Sequence, residues 1–199
     1  APAAPVGGPP GRGPMSRRAV LALGGAAGAL GLGALFAGRP LARDARARLR
    51  TTAWRPGARL VGPGGQALRV NSLLVGEMVT VFPEGGPRRA DSQVVLVRVA
   101  AERVRARRDR VSWSPAGNIA FSAVCTHTGC PVGSYQAEAG HLLCPCHQSV
   151  FDVLDGARPL SGPAARALPQ LPLAVDDGGY LVAVADFDEP VGPHFWGRR

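Results

Sequence analysis

The chain has 199 residues, 46% of them apolar and 6% aromatic, which excludes a large multidomain enzyme and leaves room for one domain of roughly 100–150 residues with an appendage. Its net charge of +9 comes from 23 Arg and no Lys and is unevenly placed: residues 1–110 carry 19 Arg against 6 acidic side chains (net +13), residues 111–199 carry 4 against 8 (net −4). Such asymmetry fits a membrane-proximal segment attached to an acidic domain and argues against nucleic acid as a partner.

Residues 1–15 are rich in Pro, Gly and Ala, cannot bury a core, and read as a disordered tail. Residues 16–38 read as a signal and span. Here Ser16-Arg17-Arg18 precedes the uncharged run Ala19–Ala37, 19 residues long, which at about 1.5 Å per residue reaches the ~30 Å of bilayer hydrocarbon. Paired arginines before a run in which five Gly and seven Ala dilute five Leu read as a twin-arginine export signal, used for proteins exported already folded. No small-x-small cleavage site follows Ala37 at a convincing distance, so the segment is expected to remain as one N-terminal transmembrane helix, with Gly24 and Gly28 as a small-residue face for a partner helix. Five arginines between Arg39 and Arg50 would by charge counting keep the following domain inside. The export signal, a receptor-read address, takes precedence and puts that domain on the extracytoplasmic side of the plasma membrane.

Residues 39–60 read as a tether, broken at Arg55-Pro56-Gly57. Short β-strands are then expected over Met78–Phe82, Val94–Val99, Val111–Trp113, Ile119–Val124, Leu142–Cys144, Leu171–Val175 and Tyr180–Val184, separated by Gly/Pro turns, with Asp177-Gly178-Gly179 closing a hairpin. No helical periodicity competes, so residues 61–199 are expected to form an all-β domain. The basic run Arg103–Arg110 reads as a solvated face or loop, and Trp54, Trp113 and Trp196 as core or interfacial residues.

Two loops carry the chemistry. Cys125-Thr126-His127-Thr128-Gly129-Cys130 is separated by 13 residues from Cys144-Pro145-Cys146-His147-Gln148-Ser149. A Cys-x-His with a Cys-x-x-His supplies two thiolates and two imidazoles, suited to tetrahedral zinc or to a mixed-ligand [2Fe–2S] cluster. Cys130 and Cys146 lie each in its own loop beside a ligand; a bond between them would tie the loops over the metal, a staple that a zinc ribbon does not need and that an oxidising compartment would preserve. His141 and His194 lack partner spacing, and Asp152, Asp155, Asp176 and Asp177 read as strand-end and turn residues.

These boxes resemble those of the Rieske iron–sulfur proteins of the cytochrome bc1/b6f type, C-T-H-x-G-C and C-P-C-H-x-S, and Gly162-Pro163-Ala164 is similar to the proline loop that covers their cluster. The runs 144–152, 162–168 and 186–193 are similar in particular to actinobacterial menaquinol–cytochrome c reductase Rieske subunits. The resemblance implies an antiparallel Rieske-type β domain with a small cluster-binding subdomain over about residues 121–165. It implies one [2Fe–2S] cluster per chain, bound by Cys125, His127, Cys144 and His147, and a Cys130–Cys146 disulfide. Ser149 would donate to a cluster sulfur, with Gly162 and Pro163 packed alongside. Phe151 stands where ubiquinol-oxidising relatives have a Tyr donor, which implies a potential low in the family range, suited to menaquinol. Thr128 and Gln148 stand where many relatives have Leu and Gly.

By the same resemblance the chain passes an electron from quinol to a c-type haem, with His147 (His127 as alternate) contacting the quinol, and with cytochrome b and a c-type cytochrome as partners in the membrane. The small Rieske subunit of another exported oxidoreductase, such as arsenite oxidase, is the alternative. The actinobacterial subunits usually have three spans; the single run here is similar to the third, as expected of a shortened or reduced chain.

Overall fold

The computed structural model describes residues 52–105 and 110–193. The expected tail, span, most of the tether, His194 and Trp196 lie outside these residues. Among the described residues no helix is long and apolar enough to cross a membrane, and regular structure consists of eleven short strands and five 3-10 turns.

Strands β1 (Leu60–Val61), β2 (Met78–Pro83), β3 (Val94–Arg98), β4 (Asn118–Ser122) and β9 (Gln170–Leu171) form one antiparallel sheet in the order β1-β2-β3-β4-β9. A second sheet, in chain order, contains β5 (Ser134–Gln136), β6 (His141–Cys144), β7 (Ser149–Asp152) and β8 (Arg158–Ser161), while β10 (Leu173–Val175) and β11 (Leu181–Ala183) make a hairpin.

The central strand explains the layering. Val94-Val95-Leu96-Val97 is an unbroken apolar run rather than an alternating one, as suits a strand covered on both faces. Alternation then sorts its side chains: Val95 and Val97 join Ile119, Phe121, Leu142 and Phe151 in one core, Val94 and Leu96 join Trp54, Leu60, Val81, Leu171 and Leu181 in the other. The first core lies against the four-stranded sheet, the second against the β10–β11 hairpin. This arrangement bears out the all-β expectation, with almost no helix.

Several local expectations change. Val111–Trp113 is a 3-10 turn and not a strand. The run expected as Leu171–Val175 is two strands in different sheets, because Pro172 has no N–H to give to a ladder. The ordered domain reaches back into the expected tether. Trp54 is fully buried, its indole N–H donates to the Ser92 carbonyl (2.9 Å), and Thr52 donates through its N–H and hydroxyl to Asp186 (2.8 and 2.6 Å). Within the basic run, Arg103 and Arg105 are exposed as expected, yet Arg105 also pairs with the buried Asp152 at 2.9 Å and Arg110 with Asp188 at 2.7 Å; residues 106–109 lie outside the described residues.

Candidate metal centre

Both boxes are loops closed at their bases by strand contacts. The first leaves β4, is pinched by the Val124–Pro131 bridge, and is tightened by Cys125 N–H to Cys130 O (2.8 Å) and Gly129 N–H to Cys125 O (2.9 Å). The reversal requires φ +87° at Gly129, a conformation that costs glycine little. The second is the β6–β7 turn, where Cys144 pairs with Ser149 across the hairpin. Inside it Gln148 holds φ +57°, which is strained for a residue with a side chain.

The loops are bonded to each other by the Cys130–Cys146 disulfide, Cα atoms 6.5 Å apart. Cys125 and Cys144 remain free thiols and are buried. Although the Cys144 sulfur lies within 4.8 Å of those of Cys130 and Cys146, these two are consumed by their bond and offer no thiolate. Burial pushes the Cys125 thiol up, the Cys144 sulfur beside it adds to the push, and the N–H groups of His127 and Thr128 aimed at the Cys125 sulfur pull it down. Two buried sulfurs side by side with N–H donors around them suit a charged group that a metal would neutralise.

The imidazoles complete the set. The His127 and His147 rings meet edge to face with centroids 4.6 Å apart. Nδ1 of His127 is buried without a hydrogen-bond partner, which is costly for a polar atom unless something binds there. His147 is exposed at the tip of its loop. Cys125, His127, Cys144 and His147 could therefore hold a cluster between them, and an orphaned nitrogen and two buried free thiols fit a mixed sulfur and nitrogen donor set.

A third loop closes the side. Gly162 has φ +83°, and a Cβ there would stand 2.5 Å from the Ser149 Cα, so only glycine permits this approach. Ala164 N–H donates to the buried Ser149 hydroxyl (3.2 Å), leaving the hydroxyl proton free for another acceptor. Pro163 lies exposed on the outer side, and Phe151, fully buried, offers no hydroxyl.

Sequence reasoning had no role for Thr126 or Arg166. The Thr126 hydroxyl donates to the Arg166 carbonyl (2.7 Å), and the Arg166 guanidinium reaches the carbonyls of Pro190 (2.6 Å) and Gly192. Only the recurrence of the 162–168 and 186–193 runs in relatives hinted at these contacts. Half-buried His141 sits in β6 opposite Asp152, away from the four donors. Asp152 does end β7, and it also accepts the Leu154 N–H (3.0 Å).

Comparison with known proteins adds relatives. A family model described as the Rieske [2Fe-2S] domain matches residues 72–172. The cytochrome bc1 complex Rieske iron-sulfur subunit of Streptomyces lividans is 41% identical over 160 residues, 76% of this chain and 94% of that one. The protein of the same name from Mycobacterium tuberculosis is 38% identical over 222 residues, covering 89% of this chain and 52% of its own, so the chain spans about half the length of that relative. Among solved structures, the ferredoxin of carbazole 1,9a-dioxygenase from Nocardioides aromaticivorans aligns with a TM-score of 0.44 at 20% identity, covering 65% of this chain and 98% of that one.

Proposed function

Because this chain belongs to the Rieske [2Fe–2S] family, with bc1-complex Rieske subunits of actinobacteria among its relatives, we propose that it is the electron-transfer subunit of a quinol–cytochrome c reductase. The observation that carries this reading is the buried, partnerless Nδ1 of His127 in the same loop as the buried free thiol of Cys125, with the exposed His147 ring 4.6 Å from the His127 ring.

In this reading Cys125 and Cys144 would hold one iron and His127 and His147 the other, His127 through its buried Nδ1. When bound, the cluster supplies a one-electron acceptor whose potential, with two neutral imidazoles in place of thiolates, lies at about −150 to +300 mV instead of about −400 mV. The Cys130–Cys146 bond keeps the two loops at a fixed separation. The 162–166 loop excludes water from the side it covers. Ser149, oriented by the Ala164 N–H, would donate a hydrogen bond to a cluster sulfur and so favour the reduced state. His147 presents Nε2 to a quinol hydroxyl, accepts its hydrogen bond, and takes the proton as the electron leaves the quinol. In this role the subunit would pass the electron on to a c-type haem. Cytochrome b and a c-type cytochrome are the partners this role requires, menaquinol is the donor that the missing hydroxyl at Phe151 favours, and anchoring through the 16–38 segment at the extracytoplasmic face of the plasma membrane suits it.

EPR-monitored redox titration of the reduced protein across pH, with iron and acid-labile sulfide counted, tests the proposal. A [2Fe–2S] signal with a potential in the lower part of the −150 to +300 mV window is expected. Zinc without sulfide, or a potential near −400 mV as for all-thiolate clusters, would overturn it.

A further inference from the structure

The loop over the candidate cluster site is tied down from two directions. From within, Gly162 abuts the Ser149 backbone, Ala164 N–H holds the Ser149 hydroxyl, and the Arg166 carbonyl takes the Thr126 hydroxyl between Cys125 and His127. From without, one Arg166 guanidinium nitrogen donates to both the Pro190 and the Gly192 carbonyl, and another lies 3.6 Å from the Glu189 carboxylate. The Arg166 side chain is only 14% exposed, so these bonds are largely shielded from competing water, where charged donors count most.

The C-terminal segment it grips is itself fixed to the body of the domain. Asp188 exchanges bonds with Gln170 at the end of the main sheet (Gln170 N–H to the carboxylate, 2.7 Å; Asp188 N–H to Gln170 O, 3.1 Å) and pairs with Arg110 at 2.7 Å. Asp186 accepts both bonds from Thr52. An arginine spanning a rigidly seated segment and a glycine-hinged loop is placed to set where that loop rests.

We propose that Arg166 is a positioning residue for the cluster: by gripping the Pro190 and Gly192 carbonyls it makes the 186–193 segment a strap that holds the 162–166 loop closed over Ser149 and the Cys125–Cys130 loop. The inference rests on the ligand reading above. If it is right, the strap excludes water from that side of the cluster and keeps Ala164 on the Ser149 hydroxyl.

The test uses the full, cluster-loaded chain with Arg166→Ala, Arg166→Lys and a deletion of residues 189–199. In Arg166→Ala, amide exchange across 162–168 should accelerate about tenfold, the expected effect of losing a charged hydrogen bond that restrains local opening. Exchange in β2–β4 should stay as in the parent. The reduction potential should fall as the Ser149 hydroxyl loses its orientation. Arg166→Lys should recover part of both effects. The deletion should reproduce the alanine phenotype, and Arg166→Ala made in the deleted chain should add nothing. An unmoved potential, unchanged exchange at 162–168, acceleration spread equally over the whole domain, or additive effects of the two changes would each overturn the strap. Failure of the underlying reading shows separately, as absence of a [2Fe–2S] signal in the unaltered chain.

Discussion

At the scale of single residues, Ser149 carries two duties that a substitution separates. Its buried hydroxyl accepts the Ala164 N–H and keeps its own proton, which in the proposed function serves the cluster. Ser149→Ala should lower the reduction potential by roughly 40 mV, the equivalent of about 1 kcal/mol of hydrogen bonding to the reduced state. It should also destabilise the domain by about 1–3 kcal/mol, because the Ala164 N–H is left buried and unpaired. Redox titration reads the first effect and urea unfolding the second, and a potential equal to the parent's would remove Ser149 from the cluster's surroundings. The candidate ligand set proposed here was legible in the sequence because Cys and His at fixed spacing are chosen by the metal and not by the fold. The Thr126–Arg166 bond was not, since a hydroxyl meeting a carbonyl 40 residues away leaves no local pattern.

Among elements, the two cysteine loops and the start of the domain decide most. Cys130→Ser or Cys146→Ser removes a cross-link between residues 16 apart, worth about 3 kcal/mol in the chain-entropy account, and frees the loops that hold the ligands. The thermal midpoint should drop and the potential fall, with assembly still possible; a potential unaffected by the change would argue against the disulfide's role. Trp54 gives an independent check on where the domain begins. Trp54→Ala should cost about 3–5 kcal/mol in urea unfolding, against almost nothing if the residue belonged to a solvated tether. The apolar strands β2, β3 and β4 were legible from composition, whereas β5 and β8 were not: Ser134–Gln136 and Arg158–Ser161 are largely exposed and lack an apolar alternation, and their strand character comes from the neighbour they pair with. Val111–Trp113 failed in the opposite direction, being apolar yet short and followed closely by a proline turn.

For the molecule as a whole, charge takes a different meaning once the domain is delimited. In the described residues eleven Arg face twelve Asp and Glu, net −1, so the whole of the chain's positive excess, +10 against an overall +9, belongs to sequence outside them. Among the described residues, basic residues of the first half pair with acidic residues of the second, Arg59 with Asp176, Arg105 with Asp152 and Arg110 with Asp188. Acid stability follows from one of these pairs. The Tyr180 N–H and the Arg59 guanidinium hold the Asp176 carboxyl below its ordinary 3.8. Asp176 ionised thus favours the folded state, with its contribution complete above about pH 3.8 and lost as the pH falls through the lower folded-state value. Asp176→Asn should lower the urea midpoint at neutral pH and flatten its decline in acid; an acid limb as steep as the parent's would assign the loss to other carboxylates. Asp188, which burial pushes up, acts with the opposite sign.

The sequence by itself determined the cofactor class and the β character of the domain, and pointed to the donor set proposed here, because ligand spacing and apolar runs are written within a few residues of each other. Tertiary structure alone decided that Trp54 and Thr52 belong to the domain, that Pro172 divides one apolar run between two sheets, and that Arg166 joins the C-terminal segment to the loop over the ligands. Each of these depends on residues distant in the chain being brought within 3 or 4 Å of one another, and hydrogen bonds and close packing act only at that range.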